Sequence, residues 1–255
     1  CCWRVCIWCF VRLNDPMPTT ATDIAQALVR IPSVNPAYDP ESSGEAAVVD
    51  WLEDWGRSHD LEPIRQPCLE NRDNINFTIR NGDGPHLLFN GHTDTVSVAG
   101  MTIDPFSGEI RDDSLWGRGA TDMKGPLAGM LASLLRLHQR DDWHGALTVS
   151  CVVDEEYKYR GILSLLDAND PWDFAVVGEP TSLRVVRGCK GSCRFTIHTE
   201  GRAAHSSEPD KGANAIVGMA RAIPCITGFF ENGLAKFTRP GFGPSTGSIG
   251  LIQGG

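Results

Sequence analysis

Residues 87–95 have the sequence Leu-Leu-Phe-Asn-Gly-His-Thr-Asp-Thr, in which a short apolar run ends in a glycine and a His-x-Asp motif. An apolar run of this length predicts a buried strand. A second stretch, residues 116–125, has the sequence Trp-Gly-Arg-Gly-Ala-Thr-Asp-Met-Lys-Gly and opens an amphipathic helix. The two stretches place His92, Asp94 and Asp122 around strand ends of an α/β domain, where such folds carry their functional residues.

Two further apolar runs also end in acidic residues. Residues 146–153 lead into Glu155 and Glu156, and residues 174–177 lead into Glu179. Helical patterns lie between these strands, and this alternation predicts an α/β fold with a mostly parallel sheet flanked by helices. The carboxyl ends of parallel strands share one edge of the sheet, so the polar clusters are expected to converge there.

The pattern changes after residue 187. Residues 194–200 and 247–252 alternate like half-buried strands, and residues 213–223 have helical spacing. We expect a catalytic metal-binding domain over residues 17–187 and a smaller α+β domain over residues 188–255. Residues 1–16 do not match the rest of the chain, and we interpret them as a non-native extension.

Composition and charge exclude some classes of function. The chain has 255 residues, is 41% apolar and carries a net charge of −9. An acidic chain without a basic stripe argues against nucleic acid or an anionic membrane as the main partner. The nine cysteines are odd in number and mostly dispersed, which favours a reduced, cytoplasmic protein over a disulfide-bonded secreted one.

His92, Asp122, Glu156 and Glu179 are of the residue types that build a two-metal site. Imidazole and carboxylate ligands suit zinc, and they also accept manganese or cobalt. Two such ions can lower the pKa of a water and polarise a carbonyl oxygen. The remaining glutamate of the acidic pair, Glu155, is then available as general base and acid.

Asp94 follows His92 by two residues and is placed to accept the second imidazole N–H. Each of these signals has an ordinary alternative, because a histidine after a strand is usually only hydrogen-bonded and acidic strand ends are usually solvated. Their conjunction in one chain favours a metal hydrolase, although the pattern alone leaves both interpretations open.

The motifs at residues 91–95, 117–125, 154–156 and 178–181 resemble the successive motifs of a di-zinc peptidase family. This family comprises the aminoacylases, acetylornithine deacetylase, succinyl-diaminopimelate desuccinylase and the glutamate carboxypeptidases. Residues 201–207 resemble the motif of its lid domain. The resemblance extends from about residue 20 to the end of the chain, and it implies a zinc-exopeptidase-like catalytic domain with an inserted lid and dimerisation domain.

The resemblance also implies a role for each matching residue. His92 and Glu179 would hold one zinc, Glu156 would hold the other, and Asp122 would bridge both. Glu155 would be the general base, and Asp94 would orient His92. In a homodimer formed through the lid, His205 would donate a hydrogen bond to the oxyanion in the partner's site. The peptide bond between Asp122 and Met123 would be cis.

Residues 178–181 and 187–191 are most similar to the branch that contains acetylornithine deacetylase and the desuccinylase. That similarity implies hydrolysis of small N-acyl amino acids, with a carboxypeptidase or dipeptidase activity as the alternative. Family members continue further and there supply a last histidine ligand and residues that bind the substrate carboxylate. The chain is therefore interpreted as a C-terminally truncated member, and an inactive relative that keeps only the fold stays open.

Overall fold

The computed structural model describes residues 17–168 and 171–254. The interpretation of residues 1–16 as a non-native extension falls outside the described residues. The chain divides into two compact units, with the division between Leu183 and Arg184. Among the described residues, no helix combines the length and the apolar character that crossing a bilayer requires.

The first unit is built on a five-stranded sheet with the strand order β1-β2-β6-β3-β7. The strands are β1 (Pro63–Leu69), β2 (Arg72–Asn81), β3 (His86–His92), β6 (Gly145–Val152) and β7 (Phe174–Val177). β3 pairs in parallel with both β6 and β7, whereas β2 pairs antiparallel with both β1 and β6. Four strands therefore run in one direction and β2 alone runs in the other, which confirms the α/β fold.

Three helices cover one face of this sheet. They are α1 (Ala21–Val29), α2 (Ala46–Ser58) and α3 (Gly125–His138). Ile24 of α1, Trp55 of α2 and Leu131 of α3 are fully buried in one cluster with Phe77 and Val149 of the sheet. Burying a large apolar side chain contributes about 1.5–3 kcal/mol, so this layer is the main source of stability.

The opposite face is covered more thinly. Helix α4 (Arg160–Asp167) places Leu165 against Leu88 and Val152 in a small second cluster. A short hairpin, β4 (Glu109–Arg111) and β5 (Ser114–Trp116), extends from the surface between β3 and α3. The hairpin lies in the segment that joins His92 to Asp122.

The second unit contains one long helix, α5 (Ala215–Gly228), and a two-residue ladder between β8 (Thr238–Arg239) and β9 (Gly243–Pro244). Asn214 caps α5, since its side-chain oxygen accepts the N–H of Val217 at 3.1 Å. The prediction of strands at residues 194–200 and 247–252 is wrong, because neither segment forms a strand in the structure. Alternation specifies only which side chains share a face, and a strand also needs a hydrogen-bonded neighbour.

Two helical glycines give a matched test of the packing. A Cβ at Gly56 would clash with Cε1 of Phe77, which is fully buried, whereas a Cβ at Gly129 meets no atom within 4 Å. We expect Gly56→Ala to lower the free energy of unfolding by about 1–3 kcal/mol through overpacking. Gly129→Ala should raise it by about 0.5–1 kcal/mol through helix propensity. Urea unfolding measures both, and equal stabilities would contradict the packing described here.

Candidate metal centre

His92 is the last residue of β3 and is 1% exposed. It lies beside Val152, the last residue of β6, so the two parallel strands end at the same edge of the sheet. The preceding Gly91 allows a close approach, since a Cβ there would lie 2.7 Å from Cε of Met123. The histidine is therefore held next to the turn that carries Asp122 and precedes α3.

Asp122 and Glu179 face the same imidazole nitrogen. His92 Nε2 lies 3.0 Å from Asp122 Oδ1 and 3.8 Å from Glu179 Oε1. One ligand atom from each of the three residues lies within 4.8 Å of the others. The structure thus brings together the three residues that the sequence assigned to one metal.

Asp122 lies in the tight turn Ala120–Lys124, and its peptide bond to Met123 is cis, as the family resemblance implied. The turn is anchored to the end of α1, because the buried Lys124 donates from Nζ to the carbonyl oxygen of Ile31 at 2.7 Å. The hydrogen bond from His92 lowers the pKa of Asp122, and the charge of Arg118 adds to this effect. Asp122 is therefore an anionic side chain at the surface of the site.

Glu155 and Glu156 follow β6 at this edge of the sheet, where Glu155 approaches His92, whereas Glu156 lies outside the three-residue cluster. Glu155 Oε2 is 3.9 Å from His92 Nε2. Burial raises the pKa of Glu155, and the charges of Glu179 and Asp94 raise it further against the opposing charge of His92. Burial likewise raises the pKa of Glu156 to about 7, with repulsion from nearby carboxylates adding to it. A carboxyl group of this kind can exchange a proton near neutral pH.

The charge distribution fits a divalent cation. Burial alone would lower the pKa of His92, but the hydrogen bonds and charges of Asp122, Asp94 and Glu179 raise it to about 11. Burial also raises the pKa of Glu179. The centre therefore concentrates negative charge in a partly desolvated place, and a cation would neutralise this charge. One imidazole nitrogen and several carboxylate oxygens form a donor set that suits zinc.

Asp94 uses its backbone oxygen and its carboxylate for two different contacts. Its backbone carbonyl oxygen lies 2.9 Å from His92 Nδ1, whereas its carboxylate lies 3.5 Å away. Donation from Nδ1–H to this carbonyl orients the ring, and Nε2 would become a ligand atom once a cation displaces its proton. The carboxylate of Asp94 instead accepts the backbone N–H groups of Glu155 at 3.0 Å and Glu156 at 3.1 Å.

His205 lies in the second unit, in an exposed loop. Its Nδ1 accepts the backbone N–H of Ser207 at 3.2 Å and lies 2.7 Å from the Ser207 hydroxyl. Because Nδ1 is the acceptor of that N–H, the proton of the neutral ring is on Nε2. The side chain is therefore suited to donate a hydrogen bond from Nε2.

A largely buried polar network next to Glu155 and Glu156, with Arg160 at its partly exposed edge, was not predicted from the sequence. It comprises Asn35, Glu45, Arg72, Asp154 and Arg160. Arg72 forms two hydrogen bonds with Glu45, of 2.6 and 2.7 Å, and one with Asp154 of 3.2 Å. Arg160 forms two with Asp154, of 2.6 and 2.9 Å. No spacing motif could reveal these contacts, since most of them join distant segments of the chain.

Comparison with known proteins agrees with this geometry. Residues 88–227 match the sequence profile of peptidase family M20/M25/M40. The chain is 33% identical over 254 residues to an acetylornithine deacetylase of Proteus mirabilis, covering 95% of this chain and 64% of that protein. It is 34% identical over 230 residues to a succinyl-diaminopimelate desuccinylase of Methylorubrum extorquens, covering 84% and 59%. The chain thus spans less than two thirds of the length of either relative.

Solved structures show the same fold. A tripeptidase from Staphylococcus aureus aligns with a TM-score of 0.55 at 19% identity and covers 82% of this chain and 57% of that one. The aminopeptidase PepT from Bacillus cereus aligns with a TM-score of 0.53 at 20% identity, with the same coverage.

Proposed function

The chain belongs to peptidase family M20/M25/M40, and we propose that it is a metal-dependent amidohydrolase that removes a small acyl group from the amino group of an amino acid. The cluster of His92, Asp122 and Glu179, whose ligand atoms lie within 4.8 Å of one another, is the observation that carries this proposal. The deacetylase and desuccinylase names of its relatives supply the substrate class.

The proposed centre holds two ions, with zinc as the first choice and cobalt or manganese as substitutes. His92 and Glu179 would hold one ion, Glu156 would hold the other, and Asp122 would be shared by both. When bound, the ions lower the pKa of a water and polarise the carbonyl of the scissile amide.

Glu155 is the proposed general base and acid. Its carboxylate lies 3.9 Å from His92 Nε2, at the edge of the cluster, and burial raises its pKa toward the range needed for proton exchange. In this role Glu155 takes the proton of the attacking water and returns it to the leaving nitrogen, so one group serves both steps.

Asp94 has two proposed positioning roles. Its carbonyl oxygen fixes the His92 ring through Nδ1, and its carboxylate holds the backbone of Glu155 and Glu156. Asp94 thus holds the proposed base, Glu155, and one proposed ligand of each ion, His92 and Glu156. These shared contacts limit the movement of the three residues relative to one another.

His205 is the proposed donor to the oxyanion that forms when water attacks the amide. Acceptance of the Ser207 N–H by Nδ1 supports this role, because it leaves Nε2–H as the donor. The proposal includes a homodimer formed through the second unit, in which His205 serves the partner's centre, and a cytoplasmic location.

Amide hydrolysis by the zinc-loaded full-length protein tests this function. N-acetylornithine and N-succinyl-diaminopimelate should be cleaved with kcat/KM at least about tenfold higher than dipeptides and tripeptides, since a pocket shaped for one side group discriminates by about 10–200-fold. A chelator should abolish the activity and zinc should restore it. Faster cleavage of peptides would replace the deacylase with a peptidase, and no turnover of either class would refute the enzyme.

A further inference from the structure

The side chain of Asn35 lies directly behind the candidate metal centre and joins two buried carboxylates. Its Nδ2 lies 2.7 Å from Asp94 Oδ2 and 3.1 Å from Asp154 Oδ1, and all three residues are 0% exposed. Its Oδ1 accepts the N–H of Ala37 at 3.0 Å. A flipped amide would turn an oxygen toward two carboxylates, so these contacts define its orientation.

The two carboxylates lie on either side of the Glu155–Glu156 pair. Asp94 accepts the backbone N–H groups of both glutamates, and Asp154 directly precedes them in the chain. The N–H of Asp154 in turn donates to Glu45 Oε1 at 3.0 Å. The backbone position of Glu155 and Glu156 therefore depends on the contact that links Asp94 to Asp154.

Asn35 is suited to that task because it supplies two donors and no charge. Both carboxylates lie within 3.1 Å of the same nitrogen, in a place without solvent exposure. The charge of Asp154 is matched by Arg72 and Arg160. Without the amide, Asp94 and Asp154 would face each other as buried like charges, an arrangement that is unfavourable and tends to force the groups apart.

We propose that Asn35 is a positioning residue that bridges Asp94 and Asp154 and thereby places Glu155 and Glu156 for catalysis and for binding of the second metal ion. This inference rests on the proposed function. The effect is expected to differ between the two ions. The ion held by His92, Asp122 and Glu179 depends on Asp94 only through its backbone carbonyl oxygen. The flanking backbone is held separately, by hydrogen bonds from Thr93 N–H to Val152 and from Thr95 N–H to Ser33.

Two substitutions separate donation from packing. Asn35→Asp preserves the volume and the oxygen that accepts the Ala37 N–H, but it replaces the double donor with an acceptor. Asn35→Ala removes the donors without adding charge. Asn81→Ala is the matched control, since Nδ2 of Asn81 also donates to two acceptors, the carbonyl oxygens of Asp141 and Trp143. Asn81 is the last residue of β2, at the end of this strand away from Arg72.

Zinc titration against a competing chelator is the measurement, made on the full-length protein together with steady-state kinetics. The affinity for the second zinc should fall about 10–100-fold in both Asn35 variants, as is usual when a partner of a metal ligand is removed. The zinc held by His92, Asp122 and Glu179 should bind as in the wild type. In the kinetics, kcat should fall by a larger factor than KM rises. Asn35→Asp should be the more affected variant, and Asn81→Ala should retain both zinc ions.

Four results would overturn the inference. They are wild-type affinity for both ions in Asn35→Asp, equal weakening of both ions in the Asn35 variants, the same loss in Asn81→Ala, and a wild-type protein that binds only one zinc. If the wild type cleaves no N-acyl amino acid but the asymmetric loss of zinc is observed, the proposed function fails and the positioning role of Asn35 stands.

Discussion

Glu155→Gln is expected to lower kcat by about 10²–10⁴-fold, the usual contribution of a general base, while zinc content stays that of the wild type. The amide has the size of the carboxylate but cannot take a proton from water. Glu155 also keeps its backbone bond to Asp94, since that bond involves only its N–H group. The change should therefore remove proton transfer without moving the segment that carries Glu156.

Steady-state kinetics and metal analysis of the same preparation measure kcat and zinc content. Glu62→Gln serves as the control, because Glu62 is an exposed glutamate at the start of β1, outside the centre. If Glu155→Gln retains a kcat within about threefold of the wild type, well short of the loss expected for a general base, Glu155 does not transfer the proton.

Asp122→Ala is expected to have the second large effect, because Asp122 is the one proposed ligand shared by both ions. Loss of metal-based stabilisation of several kcal/mol corresponds to a fall in kcat/KM of about 10³-fold or more. Zinc retained after gel filtration should drop below that of the wild type. The metal-free variant should remain folded, since the Asp122 side chain is 51% exposed and supports little of the core.

Elemental analysis and circular dichroism of the purified variant make this measurement. Asp83→Ala is the control, because Asp83 is an exposed aspartate in the turn between β2 and β3. Full zinc content and activity in Asp122→Ala would show that the cluster of His92, Asp122 and Glu179 is not the metal centre.

The cluster of His92, Asp122 and Glu179 could be predicted from the sequence because it depends on strand direction. Parallel pairing of β3 with β6 and β7 brings the ends of these strands to one edge, and each apolar run already marked its strand. The spacing predicted a contact between Asp94 and His92 but not which oxygen of Asp94 accepts the N–H. Side-chain and backbone oxygens of one residue lie close together, and sequence spacing does not distinguish them.

The bridge formed by Asn35 could not be predicted in this way. Its partners are 59 and 119 positions away, and nothing in the loop that carries it marks which buried groups it will meet. An asparagine before a proline also has an ordinary interpretation as a turn residue. Only the folded chain shows that its amide is surrounded by carboxylates.

The same limit explains the errors in secondary structure. Strand β1 was missed because Pro63–Leu69 mixes proline, arginine and glutamine at the sheet edge, without apolar alternation. Strand β2 is longer than its apolar centre at residues 75–79, since its polar ends are also paired. Residues 194–200 show the converse, because they alternate well but lie alongside no paired strand in the described chain.

Anomalous diffraction at the zinc absorption edge, from crystals of the zinc-loaded protein, tests the proposed two-metal centre most directly. Two peaks are expected, one among His92 Nε2, Asp122 and Glu179, and the other between Asp122 and Glu156. A single peak or none at these carboxylates, or zinc bound elsewhere in the chain, would contradict a two-metal hydrolytic centre at this edge of the sheet.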